Sequence, residues 1–237
     1  MKFDLLHPRD QLVAIMHRIY HGGLTTLSGG NLSIRDAAGD LWITPAATDK
    51  GQMLPGDVVC LRAAGAVDGS HPPSSELPFH RAIYHQRPDL GAIVHAHPPA
   101  LVTFSIVHHL PDTCVVPHAW QTCGRVGYAP YALTGSEQLG QAIAATFAAG
   151  HDVVLLENHG VAAAGPDLLT AYHRLEALEF HARTLLAAHR VGTPLSLTPH
   201  QLSLAGSAAS PLPEFDPTPG AGDQSDLRRQ VVQATHR

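Results

Sequence analysis

The stretch AIVHAHPPA, residues 92–100, restricts what this chain can fold into more than any other. Its apolar residues predict a buried strand, which Pro98 and Pro99 end because proline cannot join a strand's hydrogen-bond ladder. Side chains two residues apart in a strand point to the same face of the sheet. His95 and His97 are therefore predicted to emerge side by side, in the geometry of two ligands of one metal. The alternative is a pair of ordinary polar residues at a strand terminus.

Two further candidate ligands stand out in a chain with 18 histidines. His159 ends the apolar stretch DVVLLENHG, and strand ends are common places for sites, although a turn residue is the alternative. Glu76 falls in the first turn of a predicted helix, where a carboxylate also suits the helix dipole. His80, one turn later, could brace the site. Three histidines and one carboxylate match a catalytic divalent metal.

The spacing of apolar residues predicts alternating helices and strands. Helices are predicted in PRDQLVAIMHRIYHGGL, PPSSELPFHRAIYHQRP, SEQLGQAIAATFAAG and residues 167–191. The second of them is predicted to begin at Ser74 or Ser75 as N-cap. Strands are predicted in TLSGGNLSIRD, DLWITPAATD, DVVCLRAAGAVDG, LGAIVHAH, TCVVPHAW and DVVLLENHG, and YAPYALTG is predicted as a loop. This order favours a mixed α/β sandwich with one sheet between helix layers.

Composition limits the class of protein. With 237 residues, 44% apolar and 15% charged, the chain suits one globular domain, which we assign to residues 1–200. Residues 201–237 are rich in proline, glycine and serine and are predicted to form a tail. No basic stripe predicts nucleic-acid binding, and no run of about 18 apolar residues predicts a membrane span.

The cysteines and the N-terminus indicate a compartment. The three cysteines fit neither a disulfide framework nor a CxxC metal site. The first residues, MKFDLLHPRD, lack the uninterrupted apolar segment of a secretory signal. We therefore expect a cytoplasmic protein.

Five motifs together resemble a known family. GGNLSIR, ITPAATDKGQM, PPSSELPFHRAIYHQRPDLGAIVHAHPPA, APYALTG and LLENHGVAAAG follow one another in the order seen in class II aldolases. Over roughly residues 8–190 the chain resembles the L-fuculose-phosphate aldolase type. That group also includes L-ribulose-5-phosphate 4-epimerases, a methylthioribulose-phosphate dehydratase, several decarboxylases and the adducin head domain. The combination of SSE, HAH and NHG is specific for the superfamily and much less specific for the reaction.

The resemblance implies a fold and a metal centre. The fold is a three-layer α/β/α sandwich with a mainly antiparallel or mixed central sheet. One divalent metal per subunit is implied, bound by His95, His97 and His159. That metal is usually Zn²⁺ in the aldolases, with Mn²⁺, Co²⁺ or Fe²⁺ as alternatives. Glu76 matches the catalytic acid/base, which also ligates the metal in the resting site.

The resemblance also implies substrate contacts and an assembly. Gly30, Asn31, Ser74 and Ser75 match positions that hold the substrate's phosphate. A glycine loop and a helix N-terminus both present N–H groups to an anion, which agrees with that role. Family members usually form cyclic tetramers with the site at a subunit interface, so a homotetramer acting on a small molecule is expected.

Two departures from the aldolase pattern bear on the substrate. Ala46 and Ala47 stand where the aldolases have threonine and glycine, so a hydroxyl donor is missing, and an unphosphorylated or carboxylated substrate is the alternative to a phosphorylated one. The aldolases also use a tyrosine from an adjacent subunit as an acid, and the matching region here has none. His118 could donate the proton instead. The alternatives in or near this region are Trp120, Tyr128 and Tyr131.

The resemblance therefore implies a divalent-metal-dependent lyase. It would cleave a carbon–carbon bond of a short ketose or ketose phosphate through a metal-stabilised enediolate. A metal-dependent decarboxylase on the same scaffold is the alternative, favoured by Ala46 and Ala47. A sugar-phosphate epimerase, a dehydratase or an inactive adducin-like binding module are further readings. The family's epimerases carry aspartate where Glu76 stands, which favours the aldolase and decarboxylase chemistries.

Overall fold

The computed structural model describes residues 3–206, which form eight strands and seven α-helices. The strands are β1 Asn31–Arg35, β2 Leu41–Ile43, β3 Val59–Leu61, β4 Val67–Asp68, β5 Ala92–Ala96, β6 Gly127–Ala129, β7 Val153–Leu156 and β8 Gly160–Gly165. The helices are α1 Pro8–His21, α2 Leu77–Gln86, α3 Pro99–Ile106, α4 Pro117–Cys123, α5 Glu137–Ala148, α6 Leu168–Ala188 and α7 Pro199–Gly206. Short 3₁₀ turns cover Phe3–Leu5, Pro55–Asp57 and Thr113–Val115.

All eight strands form one sheet in the order β4-β3-β2-β1-β5-β8-β7-β6. Every described pair is antiparallel except β6 with β7. The strand β5 lies near the middle, and its His95 is paired with Asn31 of β1 on one side and Ala162 of β8 on the other. The apolar run that ends in His95 is therefore a central strand.

Helices cover both faces of the sheet. Apolar residues of α1, α3, α4 and α6 pack on one face, and those of α2 and α5 pack on the other. Within β5, Val94 and Ile93 point to opposite layers, and every residue of the strand is buried. Strands buried on both faces read as continuous apolar runs, as this one does. The predicted three-layer α/β/α sandwich with a mixed sheet is confirmed.

Three local predictions are wrong. TCVVPHAW is not a strand, because Pro117 takes the first position of α4 and its fixed φ suits a helix start. The N-cap of α2 is Glu76 and not Ser74 or Ser75. YAPYALTG is only partly a loop, since its first two residues belong to β6. The other predicted helices and strands are confirmed within a few residues.

The C-terminal part of the described chain contains a helix that composition did not predict. The helix α7 begins at Pro199, and its Leu202 is buried. Most of the predicted tail, residues 207–237, lies outside the described residues, so the division into a domain and a tail stays a prediction. Within residues 3–206 no helix combines the length and apolarity needed to cross a membrane.

A buried carboxylate ties α6 to the segment that follows His97. Glu179 is 2% exposed and accepts hydrogen bonds from the backbone N–H groups of Ala100 and Leu101, at 3.2 and 3.0 Å. These two groups lie at the start of α3, where N–H groups have no partner within the helix. Arg183 Nε donates to the same carboxylate at 2.7 Å. The contact fixes the course of the chain directly after the HAH motif.

Glu179→Ala is expected to lower the free energy of unfolding by about 2–4 kcal/mol, because two buried N–H groups lose their acceptor. Chemical denaturation followed by circular dichroism measures the loss. Glu179→Gln keeps the size and one acceptor oxygen, so its loss should be clearly smaller. Equal losses for the two variants would show that side-chain volume, and not hydrogen bonding to α3, sets the role of Glu179.

Candidate metal centre

Three imidazoles converge at one end of the central strands. Candidate ligand atoms of His95, His97 and His159 all lie within 4.8 Å of one another. His95 is fully buried near the end of β5, and His97 follows directly after the strand. Their rings lie 4.8 Å apart, centroid to centroid, and the His159 ring lies 4.9 Å from His95. Residues separated by more than 60 positions in the sequence thus share one small volume.

The turn between β7 and β8 brings His159 to this place. Asn158 has a φ of 53°, a left-handed conformation that asparagine tolerates better than most residues. Gly160 then lies so close to β5 that a Cβ atom there would be 2.6 Å from the Ala96 oxygen and 2.8 Å from the His97 ring. The NHG motif is therefore a tight turn whose glycine lets β8 approach β5 closely.

Hydrogen bonding and burial prepare the rings for a metal. His95 Nδ1 donates to the backbone oxygen of Val161 at 3.0 Å, since a carbonyl can only accept, and this turns Nε2 towards the other two rings. Burial lowers the pKa of His97 to about 3 and that of His159 to about 4. Both rings are therefore neutral at pH 7, the form that ligates metals.

Glu76 completes the cluster. Its Oε2 lies 3.1 Å from His95 Nε2, and its Oε1 lies 3.7 Å from His159 Nε2. Burial alone would raise the pKa of Glu76, but His95 and a hydrogen bond from Asn31 hold it well below its usual range. The carboxylate makes no capping bond to its own helix, so it is directed into the site and not used as a helix cap.

The arrangement fits a divalent metal. Glu76 Oε1, His95 Nε2 and His97 Nε2 are buried, and none has a hydrogen-bond partner. Buried polar atoms are normally satisfied, so each such atom requires an explanation. Three imidazole nitrogens and a carboxylate oxygen are a donor set for zinc and neighbouring transition metals. His95, His97 and His159, with Glu76, would hold such an ion.

A chain of buried hydrogen bonds runs from α2 to Glu76. His80 Nε2 donates to Asn31 Oδ1 at 2.6 Å, and Asn31 Nδ2 donates to Glu76 Oε2 at 2.7 Å. The other ring nitrogen of His80, Nδ1, accepts from the Ser33 hydroxyl at 2.7 Å. The Tyr84 hydroxyl lies 2.9 Å from the Ser33 hydroxyl. Burial lowers the pKa of His80 to about 3 and so keeps the ring neutral. The chain fixes the amide of Asn31 and leaves Glu76 Oε1 as the unbonded oxygen.

His80→Leu is expected to lower catalytic efficiency about 10–100-fold, the usual effect of removing a group that orients a metal-site residue. The measurement is kcat/KM together with the melting temperature. His85→Leu is the matched control, because His85 lies on the same helix with an exposed side chain. Equal activity of the two variants would contradict a positioning role for His80.

The sequence matches a family model over most of its length. The model described as Class II Aldolase and Adducin N-terminal domain matches residues 10–186. The chain belongs to this family. The predicted resemblance to class II aldolases is confirmed.

Relatives within the class II aldolase family carry two kinds of activity in their names. A 5-deoxy-D-ribulose 1-phosphate aldolase of Bacillus thuringiensis is 34% identical over 190 residues, which are 78% of this chain and 87% of the relative. A 3-oxo-tetronate 4-phosphate decarboxylase of Haemophilus influenzae is 30% identical over 182 residues, 75% and 86% of the two chains. The solved structure of an L-fuculose 1-phosphate aldolase superposes with a TM-score of 0.76 at 29% identity, covering 84% and 94%.

Three of the four residues predicted to hold the substrate's phosphate, Gly30, Asn31 and Ser74, lie beside the cluster of Glu76 and the histidines. Gly30 has a φ of 71°, and a Cβ atom there would be 2.7 Å from the His95 oxygen. Ser74 is buried and its hydroxyl accepts from the Glu76 N–H at 3.3 Å, whereas Ser75 is exposed. Asn31 uses its amide to link His80 and Glu76. Asn31 thus contacts the predicted acid/base directly, a contact that the motif match did not predict.

His118 lies apart from the cluster within the subunit. It is an exposed residue of α4, and its ring lies 5.5 Å from that of His173 on α6. None of the contacts described for residues 3–206 joins it to Glu76 or to the three clustered histidines. Its predicted role requires a neighbouring subunit and stays a prediction.

Proposed function

We propose that this class II aldolase family member is a divalent-metal-dependent lyase that cleaves a carbon–carbon bond of a short ketose phosphate. The observation that carries the proposal is the convergence of three imidazoles on Glu76, with one carboxylate oxygen held by Asn31 and the other unbonded. The metal would be Zn²⁺, with Mn²⁺, Co²⁺ or Fe²⁺ as alternatives. When bound, it supplies a Lewis acid that polarises the substrate's carbonyl oxygen.

Glu76 would move the proton in this reaction. As the carbon–carbon bond breaks, its electron pair is drawn towards the carbonyl, and a proton must then reach the donor carbon. Glu76 Oε1 is the group in place for that transfer, because Oε2 is occupied by Asn31. His118 of an adjacent subunit would protonate or deprotonate the aldehyde oxygen in a homotetramer. We place the enzyme in the cytoplasm.

A phosphate on the substrate is supported by the surroundings of the site. The glycine loop borders the metal cluster, since a Cβ atom at Gly29 would lie 2.9 Å from His97 Nδ1, and α2 begins directly after Glu76. Gly30, Asn31, Ser74 and Ser75 are proposed as the substrate-binding residues. The aldolase and decarboxylase relatives are all named for phosphorylated compounds.

A decarboxylase is the second candidate. The relative named 3-oxo-tetronate 4-phosphate decarboxylase is about as similar as the L-fuculose phosphate aldolase of Methanocaldococcus jannaschii, at 30% and 31% identity. Loss of carbon dioxide from a 3-oxo acid leaves the same kind of electron-rich carbon next to a carbonyl. The same ligands and the same Glu76 would therefore serve both reactions.

A product assay separates the candidates. The metal-loaded protein is incubated with 5-deoxyribulose 1-phosphate, L-fuculose 1-phosphate and 3-oxo-tetronate 4-phosphate, and aldehyde and carbon dioxide are measured. Aldehyde release from a ketose phosphate supports the aldolase, and carbon dioxide release supports the second candidate. If the folded, metal-loaded protein releases neither from a wide panel of phosphorylated ketoses and 3-oxo acids, both are overturned.

A further inference from the structure

The chain contains two lysines, and one of them is buried beside the proposed substrate loops. Lys50 is 1% exposed. The other 13 of the 15 lysine and arginine residues are arginines. Its ammonium donates to the Pro45 oxygen at 2.7 Å and to the Thr48 hydroxyl oxygen at 3.4 Å. In the ion pairs of residues 3–206 no carboxylate pairs with it.

A buried cation without an anion is costly, because burial removes its hydration. Burial lowers the pKa of Lys50 to about 8, so most of the ammonium groups remain charged at neutral pH. Methionine or leucine would fill the same space without that cost. No carboxylate among the described ion pairs balances this charge, so an anion bound from outside the chain would offset the cost.

Backbone hydrogen bonds place Lys50 between three segments that border the site. Its own N–H donates to Leu27 at the start of the glycine loop at 2.8 Å. The turn that it holds, residues 45–48, bonds to the segment before α2 through the Ala46 N–H and the Pro72 oxygen at 3.1 Å. Ser74 N–H then donates to the Thr44 oxygen at 3.2 Å. The ammonium thus lies beneath the place where the glycine loop, the 45–48 turn and Ser74 meet.

The 45–48 turn keeps the shape and the hydroxyl that its two alanines would be expected to remove. Ala47 has a φ of 50°, the left-handed conformation that glycine adopts without strain. Thr48 is half-buried, and its oxygen accepts from Lys50, so its hydroxyl hydrogen is free to donate elsewhere. Thr48 can therefore replace the hydroxyl that Ala46 lacks.

We propose that Lys50 determines specificity for the anionic end of the substrate, acting through Thr48 and the 45–48 turn as the positive charge that a phosphate group neutralises. Lys50 is a positioning residue in this scheme, because its buried ammonium contacts the turn and not the reacting atoms. The identity of the whole substrate rests on the proposed function, whereas the binding of the phosphate group does not require turnover.

The test uses inorganic phosphate as the probe and the full-length, metal-loaded protein. Affinity is measured by isothermal titration calorimetry for wild type, Lys50→Met and Thr48→Val, with Arg190→Met, an exposed charge after α6, as the control. We expect Lys50→Met to weaken phosphate binding about tenfold or more and Thr48→Val to weaken it less, with the control unchanged. A folded Lys50→Met variant that binds phosphate as wild type does would overturn the proposal.

A second measurement keeps the proposal testable if Lys50→Met does not fold. Labelling the lysine side chains with ¹⁵N gives signals from only two residues, Lys2 and Lys50. Phosphate is expected to shift the buried Lys50 ammonium signal in the wild-type protein, and an unshifted signal at saturating phosphate contradicts the inference. Lys50-dependent phosphate binding without any lyase activity would instead overturn the proposed function and leave this inference in place.

Discussion

His95→Ala should abolish stoichiometric metal binding and lower carbon–carbon bond cleavage by at least about 10³-fold, because a lost ligand removes several kcal/mol of charge stabilisation. His95 is the central residue of the proposed metal centre: it is fully buried, and its ring is fixed by its hydrogen bond to the Val161 oxygen. Metal content by mass spectrometry and kcat/KM measure the two effects separately.

The control for this experiment is His189→Ala, which removes an exposed histidine at the end of α6. It should keep one metal ion per chain and wild-type activity. Circular dichroism establishes that both variants are folded. A folded His95→Ala protein that still binds one metal ion and still turns over would refute the proposed centre.

Glu76→Gln should lower kcat about 10²–10⁴-fold while most of the bound metal is retained, because three imidazoles remain as ligands. Glutamine has the same shape, and its amide oxygen can still accept from Asn31, so the change removes proton transfer without emptying the space. KM should change much less than kcat. If kcat stays within a factor of two of wild type, another residue moves the proton and Glu76 is only a ligand.

Strand periodicity predicted the central part of the site. His95 and His97 are two residues apart at the end of an apolar run, and this local rule holds wherever the strand lies in the sheet. His159 was a candidate because it also ends an apolar run. His159 meets His95 and His97 only because β8 lies between β5 and β7 in the sheet. The sequence indicates this strand order only through the motif pattern as a whole.

Contacts between distant elements explain what the sequence did not reveal. Ser33, Tyr84 and Lys50 look like ordinary strand, helix and loop residues, and only their burial against other segments gives them roles. One signal was available, since Asn31 and Ser33 are two apart on one strand, while His80 lies one helical turn after Glu76, the N-cap of α2. The assignment of TCVVPHAW to a strand failed because β-branched residues precede a proline that begins a helix.

The strand β8 has a consequence for how such a scaffold can diversify. Its six residues, GVAAAG, are all buried. Its backbone sets the position of the HAH segment, because the Val161 oxygen accepts from His95 and Gly160 lies against Ala96 and His97. The relative position of the three histidines is thus set by main-chain geometry, which is kept when most core side chains are exchanged. New reactions are therefore best sought by mutating the surrounding loops, and a directed-evolution library should leave this strand untouched.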